Sequence, residues 1–393
     1  MSLLEWILFC LGHLAIACLL FNQVHAFAFP ATPGKRGRKA TEKFILLLAV
    51  FPFPLLAYLN FIVQPIAIPS WLTLYLKFCQ LIGIFFILRW AYRLLTTKLP
   101  VNAKQISTQW IDVSKSLASP LYVGFRAKLY SWIPFNQSAC LKIENWELGF
   151  PKLPTDFIGL KICHLSDLHF TGLIGREYFD EVIRQANEAK PELIFITGDI
   201  LDEDECLGWV EEVLAKLEAK YGVYFIRGNH DLLISDQRLY LERLRATGMT
   251  WAADGKWHEV RIGESVLQIA GNELPWYSGA TLLEPDSKEE TSPSADSVMR
   301  LLLAHSPDQI GWAVRKNFAV VFAGHTHGGQ IRLPIAGPII APSRYGIKFA
   351  SGTFRIRDTL MHVSRGVSGD MPVRLNCPPE LGFFTLVRSE AES

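Results

Sequence analysis

Nothing restricts the fold of this chain more than its first ninety residues. Residues 3–21, 44–63 and 71–88 form three almost wholly apolar runs, each close to the ~20 residues a helix needs to cross the hydrocarbon of a bilayer. Hydrocarbon offers the backbone no water to bond, so such runs must be helices that satisfy their own N–H and C=O groups. Three membrane-spanning helices are the expectation. A cleaved signal peptide is the rival reading of the first run, but its leading residues hold Glu5 and no Lys or Arg.

Charge orients these spans. The segment between the first two carries Lys35, Arg36, Arg38, Lys39 and Lys43, whereas 64–70 has no basic residue; Arg89, Arg93, Lys98 and Lys104 follow the third run. Cytoplasmic flanks are the basic ones. Three crossings then place everything after residue 104 in the cytoplasm, beneath a multi-pass anchor in the cell membrane. Pro52 and Pro54 are expected to kink the second span, and Lys77 to snorkel near Trp71. Glu5 and His13 are the remaining charged or imidazole groups in the runs, too few for a transport pathway. The seven cysteines (Cys10, Cys18, Cys79, Cys140, Cys163, Cys206 and Cys377) show no CxxC spacing. They read as buried small hydrophobes in a reducing compartment. A net charge of +1 excludes a nucleic-acid-scale basic surface, and the oligomeric state is left open.

Residues 105–138 mix aromatic and basic side chains, among them Trp110, Tyr122, Phe125, Arg126, Lys128, Tyr130 and Trp132. Two readings stand side by side: an amphipathic stretch lying on the bilayer, or an ordinary linker helix. The domain plan is therefore an anchor over 1–104, a juxtamembrane linker over 105–154 and a catalytic domain over 155–393.

Beyond Pro154 short apolar runs alternate with amphipathic ones, a pattern that predicts βαβ units and an α/β fold with a mixed or parallel sheet. Five polar clusters follow the ends of apolar runs: Asp167-Leu-His169, Gly198-Asp199, Asn229-His230-Asp231, His305, and His325-Thr-His327. In such folds ligand sites gather outside strand ends. Asp167 and His169, two apart, share one face of an extended segment. His325 and His327 do likewise, or diverge to separate ions if the segment leaves strand geometry. Glycines 198, 228, 324 and 328 allow tight turns beside them.

In this order and combination the clusters resemble the calcineurin-like metallophosphoesterase superfamily. The continuation Gly328-Gly329-Gln330 and the stretch 373–380 look like its small membrane-associated phosphohydrolases, some of which hydrolyse UDP-2,3-diacylglucosamine in lipid A synthesis. The resemblance implies a mixed-sheet sandwich flanked by helices and two divalent ions. Asp167, His169, Asp199 and His327 would hold one ion, and Asp199, Asn229, His305 and His325 the other. His230 would stabilise the transition state or protonate the leaving oxygen, with Asp231 orienting its ring. Nitrogen and oxygen donors without thiolate suit manganese, with zinc or iron as alternatives, better than magnesium.

Other residues are set aside. His164 reads as a packing residue, His258 and His362 have no motif around them, and the run Asp202 to Glu205 reads as an exposed loop face. Residues 284–297 read as a polar surface insertion that could serve as a lid. The leading functional expectation is cleavage of a phosphoester or pyrophosphate in an amphiphilic substrate at the inner membrane surface. An anchored phosphodiesterase or phosphomonoesterase on a soluble nucleotide and a non-catalytic scaffold are the other readings.

Overall fold

The computed structural model describes residues 2–23, 70–96, 100, 102–277, 297–334 and 337–390. The expected span 44–63, and the expected insertion apart from Ser297, lie outside them. The chain divides into two compact units, residues 1–98 with 342–346, and residues 99–341 with 347–393.

The first unit contains helices α1 (Leu3–Gln23) and α2 (Ser70–Thr96). Among the described residues one helix is long and apolar enough to cross a membrane, through Thr73–Tyr92, while the apolar part of α1, Leu4–Ala17, is shorter. Among the described residues, then, one of the expected spans qualifies by length and composition, and the second lies outside them. The two helices touch through small residues. A Cβ on Gly12 would collide with the Cys79 carbonyl, and one on Gly83 with that of Leu8. Close backbone approach through small residues is how helices associate where burying apolar surface gives no drive. Phe9, Leu76 and Cys79 are buried at this contact, while Leu74, Leu81, Phe85 and Leu88 turn outwards.

The second unit is a sandwich of two mixed sheets. The first runs in the order β1 (Ala103–Asp112), β2 (Cys140–Phe150), β15 (Glu380–Arg388), β3 (Lys161–Leu165), β4 (Leu193–Thr197), β5 (Val223–Ile226) and β6 (Thr250–Trp251). The second runs β13 (Gly352–Ile356), β14 (Thr359–Val363), β10 (Val320–Ala323), β9 (Val298–Ala304), β8 (Ser265–Asn272) and β7 (His258–Ile262). A small ribbon pairs β11 (Arg332–Leu333) with β12 (Gly337–Pro338). Helix α3 (Gly124–Ser131) follows β1; α4 (Arg176–Glu188), α5 (Gln237–Ala246) and α6 (Ile310–Arg315) occupy later connections.

Alternation along the strands feeds two cores. Ile162, Phe195 and Ile226 pack with Leu267, Leu301, Leu303 and Phe322 between the sheets. Cys163, Leu165, Ile194, Ile196 and Phe225 face the other way, onto Phe179, Val182 and Ile183 of α4 and Tyr240 and Leu244 of α5. The mixed α/β sandwich with flanking helices thus matches the expectation.

The expected linker 105–154 is corrected. Its ends form β1 and β2, and β2 pairs with β15 as part of the first sheet. The physical reason lies in residues 141–148, where Leu141, Ile143, Trp146 and Leu148 are buried while Lys142, Asn145 and Glu147 are less so. That is a near-alternating strand pattern interrupted by one shift.

Phe322 meets His164, Phe195 and Phe384 with ring centroids 5.1, 5.3 and 5.2 Å away. Phe322→Ala is expected to cost about 3–5 kcal/mol, measured by denaturant unfolding of the catalytic unit within the full chain. A loss below about 1 kcal/mol would show that the intersheet core does not depend on this ring.

Candidate metal centre

Strands β3, β4 and β5 are parallel neighbours in one sheet, as are β9 and β10 in the other. All five polar clusters follow the carboxyl ends of these strands, so two facing sheets deliver them to one edge. Asp167, His169, Asp199 and His327 bring one donor atom each within 4.8 Å of one another, and Asp199, His305 and His325 form a second such group. Asn229 joins the second group, its Oδ1 3.1 Å from His305 Nε2. The two histidines at 325 and 327 diverge, one to each group, and Asp199 belongs to both.

The reason is not the extended geometry expected of Asp167 and His169. Strand β3 ends at Leu165, and Asp167, His169, Asp199, His325 and His327 all have positive φ, between 49° and 69°. Each pays a backbone strain that non-glycine residues rarely adopt outside functional sites. The surrounding loops leave no room to relax it. A Cβ on Gly324 would collide with Ser166 Oγ and Asp167 Oδ2, and one on Gly228 with Asp199 Oδ1.

The donor set suits divalent cations. His169 Nε2 lies 3.7 Å from Asp199 Oδ2 and 3.2 Å from His327 Nε2, and His305 Nε2 lies 3.2 Å from Asp199 Oδ2. Outer partners point these nitrogens inwards. His305 Nδ1 donates to the Thr197 carbonyl at 2.7 Å, and His169 Nδ1 donates to Asp202 Oδ1 at 2.8 Å. Such hydrogen bonds settle which ring nitrogen remains to bind a metal. Burial disfavours a charged His305, yet Asp199 outweighs it and pushes the imidazole up to about 9. The negative field that favours a proton there equally favours a cation.

His230 stands beside both groups, its ring centroid 4.7 Å from that of His169. Its expected orienting partner is corrected: Asp231 does not touch the ring. His230 Nδ1 instead donates to Asp202 Oδ2 at 2.8 Å, so Asp202 grips His169 with one oxygen and His230 with the other. Burial resists a charge on His230, but Asp202 and then Asp199 raise it to about 10. Asp202, read from sequence as part of an exposed loop face, is only 4% exposed. Its spacing, three residues past Asp199 on the same loop, is the signal that could have found it.

Asp231 has a different task. Its carboxylate accepts the N–H groups of Asp199, Ile200, Leu201 and Gly228 at 3.0, 3.0, 3.1 and 2.6 Å, and the Tyr240 hydroxyl at 2.6 Å. It ties the loop after β4 to the loop after β5. Two more residues escaped sequence reading. Trp276 packs its ring against His305 and His325, with centroids 5.2 and 4.8 Å away. Arg374 is fully buried and donates to the carbonyls of His327, Arg365 and Ser368. The residues set aside stay outside both groups: His164 packs among Phe322, His362 and Phe384, His362 bonds Glu380 at 2.9 Å, and His258 bonds Asp254 at 3.0 Å.

The two aspartates should therefore separate experimentally. Asp231→Asn turns an amide N–H2 towards backbone donors and is expected to lower unfolding stability by at least about 2 kcal/mol. Asp202→Asn, which faces two ring donors and no backbone N–H of the other loop, should cost less stability but weaken metal affinity about 10–100-fold, measured by metal titration. The reverse assignment of losses would overturn these roles.

A pattern for the calcineurin-like phosphoesterase family matches residues 160–329. An uncharacterised metallophosphoesterase of Bacillus subtilis, YkuE, is 34% identical over 241 residues, which cover 60% of this chain and 81% of that protein. A phosphodiesterase of Escherichia coli, YaeI, is 28% identical over 231 residues, 58% of this chain and 82% of its own. A cattle protein described as a transmembrane protein with metallophosphoesterase domain is 30% identical over 260 residues, 61% of this chain and 55% of its own. With the family match spanning the loops that assemble the two donor groups, and a relative 34% identical covered over 81% of its length, the chain belongs to the calcineurin-like phosphoesterase family and is a metal-dependent phosphoesterase.

Proposed function

We propose that this protein is a membrane-held phosphodiester or pyrophosphate hydrolase acting on an amphiphilic substrate, a lipid-linked phosphate or nucleotide-sugar lipid, at the cytoplasmic membrane face. The observation that carries the hydrolytic part is the sharing of Asp199 by two buried donor groups. Asp167, His169, Asp199 and His327 would hold one divalent ion, and Asp199, Asn229, His305 and His325 the other. Manganese is the first choice, with zinc or iron as alternatives, because the donors are nitrogen and oxygen without thiolate. Such a pair supplies Lewis acidity and a nucleophile drawn from water at neutral pH.

The rest falls to the chain's own side chains. With Nδ1–H committed to Asp202, His230 offers Nε2–H to the leaving oxygen, and the Asp202 carboxylate favours the protonated ring. Trp276 covers two imidazoles and limits their access to bulk water. The Escherichia coli relative's description as a phosphodiesterase supports a diester. The apolar stretch Thr73–Tyr92 and the cattle relative described as transmembrane support the membrane, and the basic flanks of the apolar runs support the cytoplasmic face.

Asp199→Ala is expected to abolish turnover and most metal binding, since its loss leaves two cations unscreened. His230→Ala should keep both metals while kcat falls about 10²–10⁴-fold. Metal content by plasma emission decides both: two ions retained at normal affinity in the first variant, or lost in the second, would sink the assignment.

The membrane part has its own test. Removing residues 1–98 leaves β1 whole and is expected to reduce sharply the hydrolysis of a lipid-linked phosphate in vesicles, because the anchor raises effective concentration. Hydrolysis of bis(4-nitrophenyl) phosphate in solution should barely change. Equal loss on both substrates, or none on either, would point to a soluble substrate.

A further inference from the structure

The short helix α3 wears its amphipathicity inside out. Ala127 is its buried residue, while Phe125, Leu129 and Trp132, spaced i, i+4 and i+7 on one stripe, are 74, 43 and 74% exposed. Phe135, at the turn that follows, is 91% exposed. A helix on a globular domain normally turns such a stripe inwards, and single exposed apolar residues need no explanation whereas a contiguous group does. The segment 113–138 adds Arg126 and Lys128 and contains no acidic residue, while its Lys115 pairs with Asp112 just before it.

This surface is fastened to the rim of the metal centre. Asn136 Nδ2 and Ser138 Oγ donate to the Pro372 carbonyl at 2.8 and 3.1 Å, Gln137 N–H donates to the Arg374 carbonyl at 2.7 Å, and Arg374 N–H returns a bond to Asn136 Oδ1 at 2.9 Å. Arg374 in turn donates to the His327 carbonyl at 3.1 Å, and Gln330 Nε2 donates to the Met371 carbonyl at 3.0 Å. Met371, on the same rim, is 43% exposed.

The geometry points to a bilayer-docking surface: the stripe of α3 with Phe135 inserts into the interfacial layer of an anionic membrane, and so sets the mouth of the metal centre at headgroup level. Large aromatics beside lysine and arginine are the composition that settles at a membrane interface. Protein interfaces are depleted of lysine at their core, whereas here Arg126 and Lys128 sit on the very helix that carries the stripe, and no acidic residue lies between 113 and 138. The inference rests on the membrane-held reading above and adds that the catalytic unit makes its own contact with lipid, besides the helices. Seating of this kind is weak by itself and effective when a covalent tether holds the unit nearby.

The test uses the full chain with p-benzoyl-phenylalanine in place of Phe135, reconstituted in vesicles of phosphatidylethanolamine and phosphatidylglycerol. A control carries the same group in place of Lys190, which is exposed in the turn before β4, at the opposite strand ends from the metal centre. After illumination, peptide mass spectrometry is expected to show phospholipid adducts at 135 and not at 190. In a Phe125→Ser, Trp132→Ser background the adduct at 135 should fall roughly fivefold or more, while bis(4-nitrophenyl) phosphate hydrolysis is unchanged. A chain that floats with vesicles yet gives no lipid adduct at 135, an adduct yield indifferent to the serine substitutions, or a dimer-sized adduct indicating a second copy would each overturn the docking surface. A chain that fails to float with vesicles would overturn the membrane reading as well.

Discussion

Five donors converge on the Asp231 carboxylate, four backbone N–H groups and one tyrosine hydroxyl, and the geometry of the metal centre hangs from that convergence. The loops after β4 and β5 carry Asp199, Asp202, Asn229 and His230, and neither loop is regular enough to hold itself. A buried carboxylate is tolerable when its oxygens are fully satisfied. Asp231 meets that condition by collecting the N–H groups that two irregular loops would otherwise bury without partners. Burial and the neighbouring Asp199 nevertheless push it up to about 6, so the hub is held in its charged form by hydrogen bonding against an adverse field.

That adverse field follows from what the site is for. Asp167, Asp199, Asp202 and Asp231 are all at most 4% exposed at one edge of the sandwich. Four such carboxylates cannot be buried together without positive charge among them. Imidazoles supply part of it. Asp202 is held well below the ordinary carboxylate range by His169 and His230, despite its burial. Asp167, in contrast, is pushed upward by burial, and it belongs to the group where a divalent cation is wanted. Strain and charge therefore act together: positive-φ residues aim the donors inward, and the excess of negative charge creates the affinity that offsets the strain.

Sequence reading recovered the parts of this arrangement that are written as pattern. Alternating apolar runs revealed the strands, and polar clusters past their ends revealed the donors, because a strand's end is where a side chain can leave the core. The reading stopped where geometry departs from period. Asp202 sits in a loop with no repeat to place it, and nearness to three other acidic residues made it resemble a solvated face. Asp231, adjacent to His230, suggested a contact that the backbone turn forbids, since successive side chains point apart. Strands β1 and β2 were hidden by aromatic and basic residues around them that look like a membrane-surface segment. Most of that composition belongs to the connection between the two strands, where α3 is found, and Trp110 of β1 shares it, its ring lying under Lys142 of β2.

The placement of β15 extends this logic to folding. It inserts between β2 and β3, parallel to the first and antiparallel to the second, so the largest sheet closes only with residues 380–388. The preceding stretch is equally committed. Arg374 bonds the His327 and Arg365 carbonyls, and Glu380 accepts from His362 and Arg365. Glu380 and His362 are both buried, and burial of Glu380 is outweighed by Arg365, which holds its carboxyl well below the usual range. Non-local pairing of this kind is slow because chain entropy is lost before the contacts reward it. Its consequence is that the two donor groups cannot be set in their final geometry on an incomplete chain. Strands from both ends of the catalytic unit must pair before the donors can reach the geometry they have in the native structure.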